Sequence, residues 1–194
     1  FWGITTFDQR FAQLCNDHDF VLFGGGNYFE LWVEKSVSGT SVNIPFNVFE
    51  KIRSPVVFHS LGFDAGQGFT SASLDKTKRY FEFLLGRDNV FISLRNDGSL
   101  ATAGRLLGPE IACRLRTVPD GGFFAPEPEG PPETVTDGEA RIGINIAGDM
   151  LDRRFGSLDA IERFYGDFAS FMEQSVGILG RIRFRFFAHI FKDF

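Results

Sequence analysis

Short apolar runs end repeatedly at glycine or polar residues along the first two thirds of the chain. Residues 20–23 stop at Gly24, Gly25 and Gly26, residues 56–58 stop at His59 and Ser60, and residues 90–94 stop at Arg95, Asn96 and Asp97. Runs this short read as buried strands, and apolar residues at helical spacing lie between them. Strands joined by helices pair in parallel, because a parallel pair needs a long crossover connection. The pattern therefore predicts an α/β fold with a parallel sheet and helices on both faces.

The connecting stretches fit this plan. Phe7, Phe11 and Leu14 share a helical face, and Pro45 suits the opening of a helix reaching Ile52. Leu74, Phe81, Leu84 and Leu85 form another face, ended by Gly86. Ser99 reads as the cap of a helix running to Leu107. Cys113, Leu115 and Val118 read as a fourth strand closed by Pro119 and Asp120.

Residues 125–139 break the pattern, with four prolines, four glutamates and two glycines, a composition that cannot pack a core. They are expected to be a linker between a first domain, 1–124, and a second, 140–194. In the second, Ile142, Ile144 and Ile146 predict a strand, and an apolar face from Leu158 to Val176 predicts a long helix. Ile182, Phe184 and Phe186 predict another strand, alternating with Arg181, Arg183 and Arg185. A central parallel strand is apolar on both faces, so this one is an edge strand or has its polar face covered. The chain opens on Phe1 and is read as a piece of a longer protein, lacking the first strand of one domain and the later part of the other.

Composition narrows the functional classes. A net charge of −5 argues against a general nucleic-acid binder, which needs a basic face. No apolar run is long enough to span a membrane. Cys15 and Cys113 lack metal-site spacing and are expected to be reduced, buried thiols of a cytoplasmic protein. The 25 phenylalanines are read first as core fillers.

Ligands of open parallel sheets bind beyond the carboxyl ends of the strands. That rule selects Gly24, Gly25, Gly26 and Asn27, then His59, Ser60 and Gly62, then Arg95, Asn96, Asp97 and Ser99, then Asp120. In the second domain it selects Asp149, Arg153, Arg154, His189 and Asp193. Each has a plainer reading: a tight turn for the glycines, an interior histidine for His59, an ion pair with Asp97 or Asp120 for Arg95, a helical cap for Asp120. Two groups, His189 and Asp193, are too few to argue a metal site.

Taken together, the motifs resemble those of the polysaccharide pyruvyl transferase family. VLFGGGNYFE, VVFHSLGFDAGQG, NVFISLRNDGSLATAGRLLG and TVPDGGFF resemble successive strand-and-loop segments of its first domain, and IGINIAGD and FFAHIFKD resemble strands of its second. Asn96 stands where the family often has Asp, with Asp97 beside it. The resemblance implies two Rossmann-like domains in a GT-B-like arrangement, the second incomplete here. It implies transfer of an enolpyruvyl unit from phosphoenolpyruvate to a sugar of a polysaccharide or its precursor, making a ketal. The acceptor is a saccharide, lipid-linked acceptors at the inner membrane surface included, and neither nucleic acid, metal nor cofactor is called for. On this reading His59 and Arg95 are catalytic, and Gly24, Gly25, Gly26, Asn27, Ser99, Asp120 and His189 contact substrate. The other readings are a GT-B-type nucleotide-sugar glycosyltransferase and a non-catalytic two-lobed sugar-binding protein.

Overall fold

The computed structural model describes residues 6–126, 130, 138–146 and 151–187, the side chains of 152 and 153 excepted. The chain divides into two compact units, Phe1–Glu127 and Pro128–Phe194.

The first unit opens with α1 (Gln9–Asn16), whose free N–H groups are met by the Asp8 carboxylate, which accepts from Arg10 and Phe11. There follow β1 (Val21–Gly24), β2 (Phe29–Glu30), α2 (Phe46–Phe49), β3 (Val56–Leu61) and β4 (Phe63–Asp64). Then come α3 (Ser71–Leu85), β5 (Val90–Arg95), α4 (Ser99–Leu107), α5 (Pro109–Ala112), β6 (Arg116–Val118) and a 3₁₀ turn, Gly121–Phe124. Thr70 caps α3 by accepting from the Ser73 amide, and Gly86 ends that helix. The fourth strand is shorter and later than the sequence suggests. Cys113 and Leu115 precede it, because Pro109 starts α5 in that stretch.

Four strands form one sheet in the order β1-β3-β5-β6, all pairs parallel. Each step moves the same way across the sheet. Right-handed crossovers that never reverse direction lay their helices on one face. Burial shows that arrangement. Val56, Phe58, Val90, Ile92 and Leu94 are buried against the helices, and Phe58 stacks on Phe23 at 4.8 Å. On the opposite face Leu22, Val57 and Phe91 stand level in register, and Leu22 and Phe91 are exposed. The expectation of helices on both faces is thus corrected: among the described residues the helical layer covers one. A chain order that never doubles back, which apolar runs alone do not reveal, is the reason.

Beyond Gly24 the chain turns and pairs again, with β2 and β4 forming a two-stranded parallel sheet. Phe29 from this extension is fully buried against Phe58 and Phe81. The extension places Asn27 and Gly62 side by side at the end of the main sheet.

The second unit contains β7 (Glu139–Ile144), α6 (Leu151–Phe155), α7 (Leu158–Leu179) and β8 (Arg181–Phe186). β7 and β8 pair in parallel, with Arg141 opposite Arg183 and Ile142 opposite Phe184. Both are edge strands among the described residues, and Arg183 pairs with Glu139 at 3.3 Å. Ser157 caps α7 by accepting from Ala160. No helix among the described residues is long and apolar enough to cross a membrane.

Candidate functional site at the carboxyl edge of the sheet

β1, β3 and β5 run parallel, so their carboxyl ends share one edge. Gly24 closes β1 opposite His59, and Arg95 is the last residue of β5. The glycines have local reasons to be glycine. Gly25 holds φ at +77°, and a Cβ on Gly26 would lie 2.5 Å from the Tyr28 ring. The turn they form leaves the amides of Gly25, Gly26 and Asn27 without an acceptor among the described residues.

Arg95 sits between two carboxylates. Its Nε donates to Asp97 Oδ2 at 2.6 Å, and Nη1 donates to Asp120 Oδ2 at 3.4 Å. Its Nη2 donates to no acceptor among the described residues and lies beside Gly62, where a Cβ would be only 2.9 Å away. Asn27 crowds the same glycine, with Oδ1 1.8 Å from that Cβ position, and its amide donates to Asp64 at 3.3 Å. Any side chain at residue 62 would fill the space where Asn27 and Arg95 converge.

Asp97 and Asp120 are themselves fixed. Asp97 Oδ1 accepts from the Ser99 amide at 3.1 Å and the Ser99 hydroxyl at 2.5 Å. Partial burial pushes the Asp97 pKa up. The Ser99 and Arg95 hydrogen bonds and the charge of Arg95 outweigh that and hold it below the ordinary carboxylate value. Asp120 Oδ1 accepts from Gly122 at 2.8 Å, capping the 3₁₀ turn. The expectation that Ser99 caps a helix is corrected. Gly98, at φ +95°, stands at the cap position of α4, and the buried Ser99 hydroxyl instead accepts from the Phe63 amide at 2.9 Å. Ser99 therefore ties β4 to Asp97.

His59 is exposed and makes no side-chain hydrogen bond among the described residues. Alternation along β3 places it with Val57 on the face away from the helices. The structure thus gathers Asn27, Gly62, Arg95, Asp97, Ser99 and Asp120, while His59 occupies the adjoining open face. His189, Asp193 and Asp149 lie outside the described residues, as does the side chain of Arg153. No group of three or more metal-ligating side chains occurs among the described residues. Cys15 is buried, as expected, whereas Cys113 is exposed, because α5 ends there and turns it outward.

Two members of the network lie inside the quoted motifs but were not singled out as site residues: Asp64, which anchors Asn27, and Ser93, whose hydroxyl accepts from the Ser60 amide at 3.1 Å. A serine inside the apolar run FISL was the available signal for Ser93. Asp64 had none, since β4 spans only two residues.

Comparison with protein-family models, curated proteins and solved structures finds no match to this chain.

Proposed function

We propose that the protein transfers a pyruvyl group from phosphoenolpyruvate to a saccharide, within a two-domain, GT-B-like transferase. The order of motifs suggests the reaction. The observation that carries it is the set of donors at one sheet edge with no protein acceptor among the described residues: Arg95 Nη2 beside Gly62, and the amides of Gly25, Gly26 and Asn27. Phosphoenolpyruvate presents a phosphate and a carboxylate, and guanidinium and amide N–H groups are the partners both require.

The chemistry follows from the donor's structure. Protonation of the methylene carbon makes the neighbouring carbon electrophilic. One sugar hydroxyl oxygen bonds to that carbon and gives up its proton. A second hydroxyl oxygen then bonds to the same carbon and gives up its proton as phosphate leaves with the electrons of its C–O bond, and a cyclic ketal remains. His59 is assigned the proton transfers, being exposed and free of competing hydrogen bonds among the described residues. Arg95 is assigned the phosphate. Its present partners are carboxylates, which an arriving dianion displaces. Asp97 and Asp120, once released, accept from sugar hydroxyls.

The density of carboxylates at the edge, Asp64, Asp97 and Asp120, favours one second reading: a protein that binds saccharide without chemistry. Steady-state kinetics on the full-length protein separate the two, with ketal formation read by mass and phosphate release by colour. Arg95→Lys keeps the charge but loses the planar fork. It is expected to cost about 2–4 kcal/mol in kcat/KM for phosphoenolpyruvate, with saccharide affinity little changed. Wild-type protein that binds saccharide but releases no phosphate from phosphoenolpyruvate would leave the binding reading standing.

A further inference from the structure

Ser60 is the one non-glycine residue with positive φ among the described residues, at +53°. A left-handed serine inside a strand is strained by about 1 kcal/mol or more, and such conformations persist where surrounding contacts over-determine them. Here they do. Ser60 is buried, and it lies where the β3–β5 register slips between Phe58 and Leu61. Its amide donates to Ser93 Oγ at 3.1 Å, and that hydroxyl donates to the Phe58 carbonyl at 3.2 Å. Its own hydroxyl reaches across to the Pro119 carbonyl at 3.0 Å. Pro119 is the residue before Asp120, the second carboxylate on Arg95.

We propose that Ser60 is a positioning residue that holds Asp120 against Arg95, and so sets how readily the guanidinium is released to an incoming anion. The chain of contacts is continuous: strained Ser60, Pro119 carbonyl, Asp120 carboxylate, Arg95 Nη1. The Asp120 contact is the longer of the two on Arg95, at 3.4 Å against 2.6 Å, so it is the one a small shift of the 119–120 backbone would break. The Ser60 hydroxyl thus reaches Pro119, the residue that follows β6. The part of this inference that concerns phosphoenolpyruvate rests on the function proposed above, whereas the positioning of Asp120 does not.

Two substitutions separate position from stability. Ser60→Gly removes the hydroxyl and relieves the strain, and Ser60→Ala removes the hydroxyl and keeps it. The stabilities of the two variants therefore diverge, glycine being the more stable, while a positioning role predicts the same change in both at Arg95. The Arg95 guanidinium is followed by ¹⁵N NMR, and inorganic phosphate and phosphoenolpyruvate are titrated by calorimetry. In both variants the Nη1 protons are expected to exchange faster. Affinity for each anion is expected to rise by about two- to fivefold, the range of a partly exposed ion pair. Unchanged Arg95 exchange in both variants would overturn the proposal, whatever happens to stability. Faster exchange in a protein that binds neither anion would uphold the positioning of Asp120 and sink the transferase reading. Turnover of phosphoenolpyruvate with unchanged Arg95 exchange would do the reverse.

Discussion

The two units use phenylalanine in opposite ways. In the first, Phe29, Phe49, Phe58 and Phe81 are fully buried and interlock through ring contacts around the sheet. In the second, Phe164 stacks on Phe168 and Phe168 tilts against Phe171 along α7, but no residue of that helix is buried, and Ile178 is 82% exposed. The residue types are alike, and the difference is strand count. Four parallel strands with a helical layer close a core around large side chains, while the described residues of the second unit offer its long helix two strands to pack on. Aromatic content alone therefore says little about stability. What counts is whether a second surface is present to exclude water.

The largest expected effects break that comparison directly. Phe58→Ala removes a ring packed against Phe23, Phe29 and Phe49, and is expected to cost about 3–5 kcal/mol by denaturant titration. Ile178→Ala on α7 is expected to stay within about 0.5 kcal/mol. Equal losses at the two positions would show that α7 is buried in solution.

Glycine substitutions sharpen the contrast at smaller magnitude. Gly39 and Gly180 both hold positive φ, at +72° and +76°. A Cβ at Gly39 would also lie 2.3 Å from the Ser73 carbonyl of α3, while one at Gly180 meets nothing within 4 Å. Gly180→Ala is expected to cost about 1–3 kcal/mol from backbone strain alone, because ψ of −108° takes it outside the left-handed helical region. Gly39→Ala is expected to cost about 1–3 kcal/mol more, since backbone must move. Identical melting shifts for the two would remove the clash from the account.

A smaller effect tests the electrostatics of the sheet edge. The folded-state pKa of Asp97 is depressed, so its ion pair contributes stability that is fully present above the ordinary carboxylate value of 3.8. That stability is lost as pH falls through the lower, folded value. The carboxylate is 40% exposed, so screening limits the contribution to at most about 1 kcal/mol. Asp97→Asn should flatten the acid limb of the stability–pH curve below the ordinary carboxylate value. A curve parallel to wild type would show that the pair contributes nothing. The smallest effect concerns the thiols. Burial raises the Cys15 pKa and shields it, while Cys113 is exposed, so a thiol reagent should label native protein at Cys113 alone.

Much of the first unit was legible because its helices and strands obey different periods. Phe11, Phe81 and Leu94 could be assigned to the core from spacing alone. Two features were not legible. Which face each crossover takes depends on strand order, so the open face at Leu22 and Phe91 could not be read from apolar runs. The extension of β2 and β4 is two residues per strand, too short for any period, yet it brings Asn27 to Gly62. At the candidate site, placement at or just beyond a strand's carboxyl end singled out the glycine turn, Arg95 and Asp120. Ser93 bonds the Ser60 amide and the Phe58 carbonyl more than thirty residues away, and Asp64 accepts from Asn27 37 residues away; local sequence does not encode such partners.

The central claim is that the sheet edge binds phosphoenolpyruvate by drawing Arg95 from its carboxylates, and a structure with that ligand bound tests it most directly. The account predicts a ligand oxygen about 3 Å from Arg95 Nη2, a second anionic group near the amides of Gly25 and Gly26, and Asp120 moved off Nη1. Ligand bound elsewhere, with Arg95 still held by both Asp97 and Asp120, would contradict it.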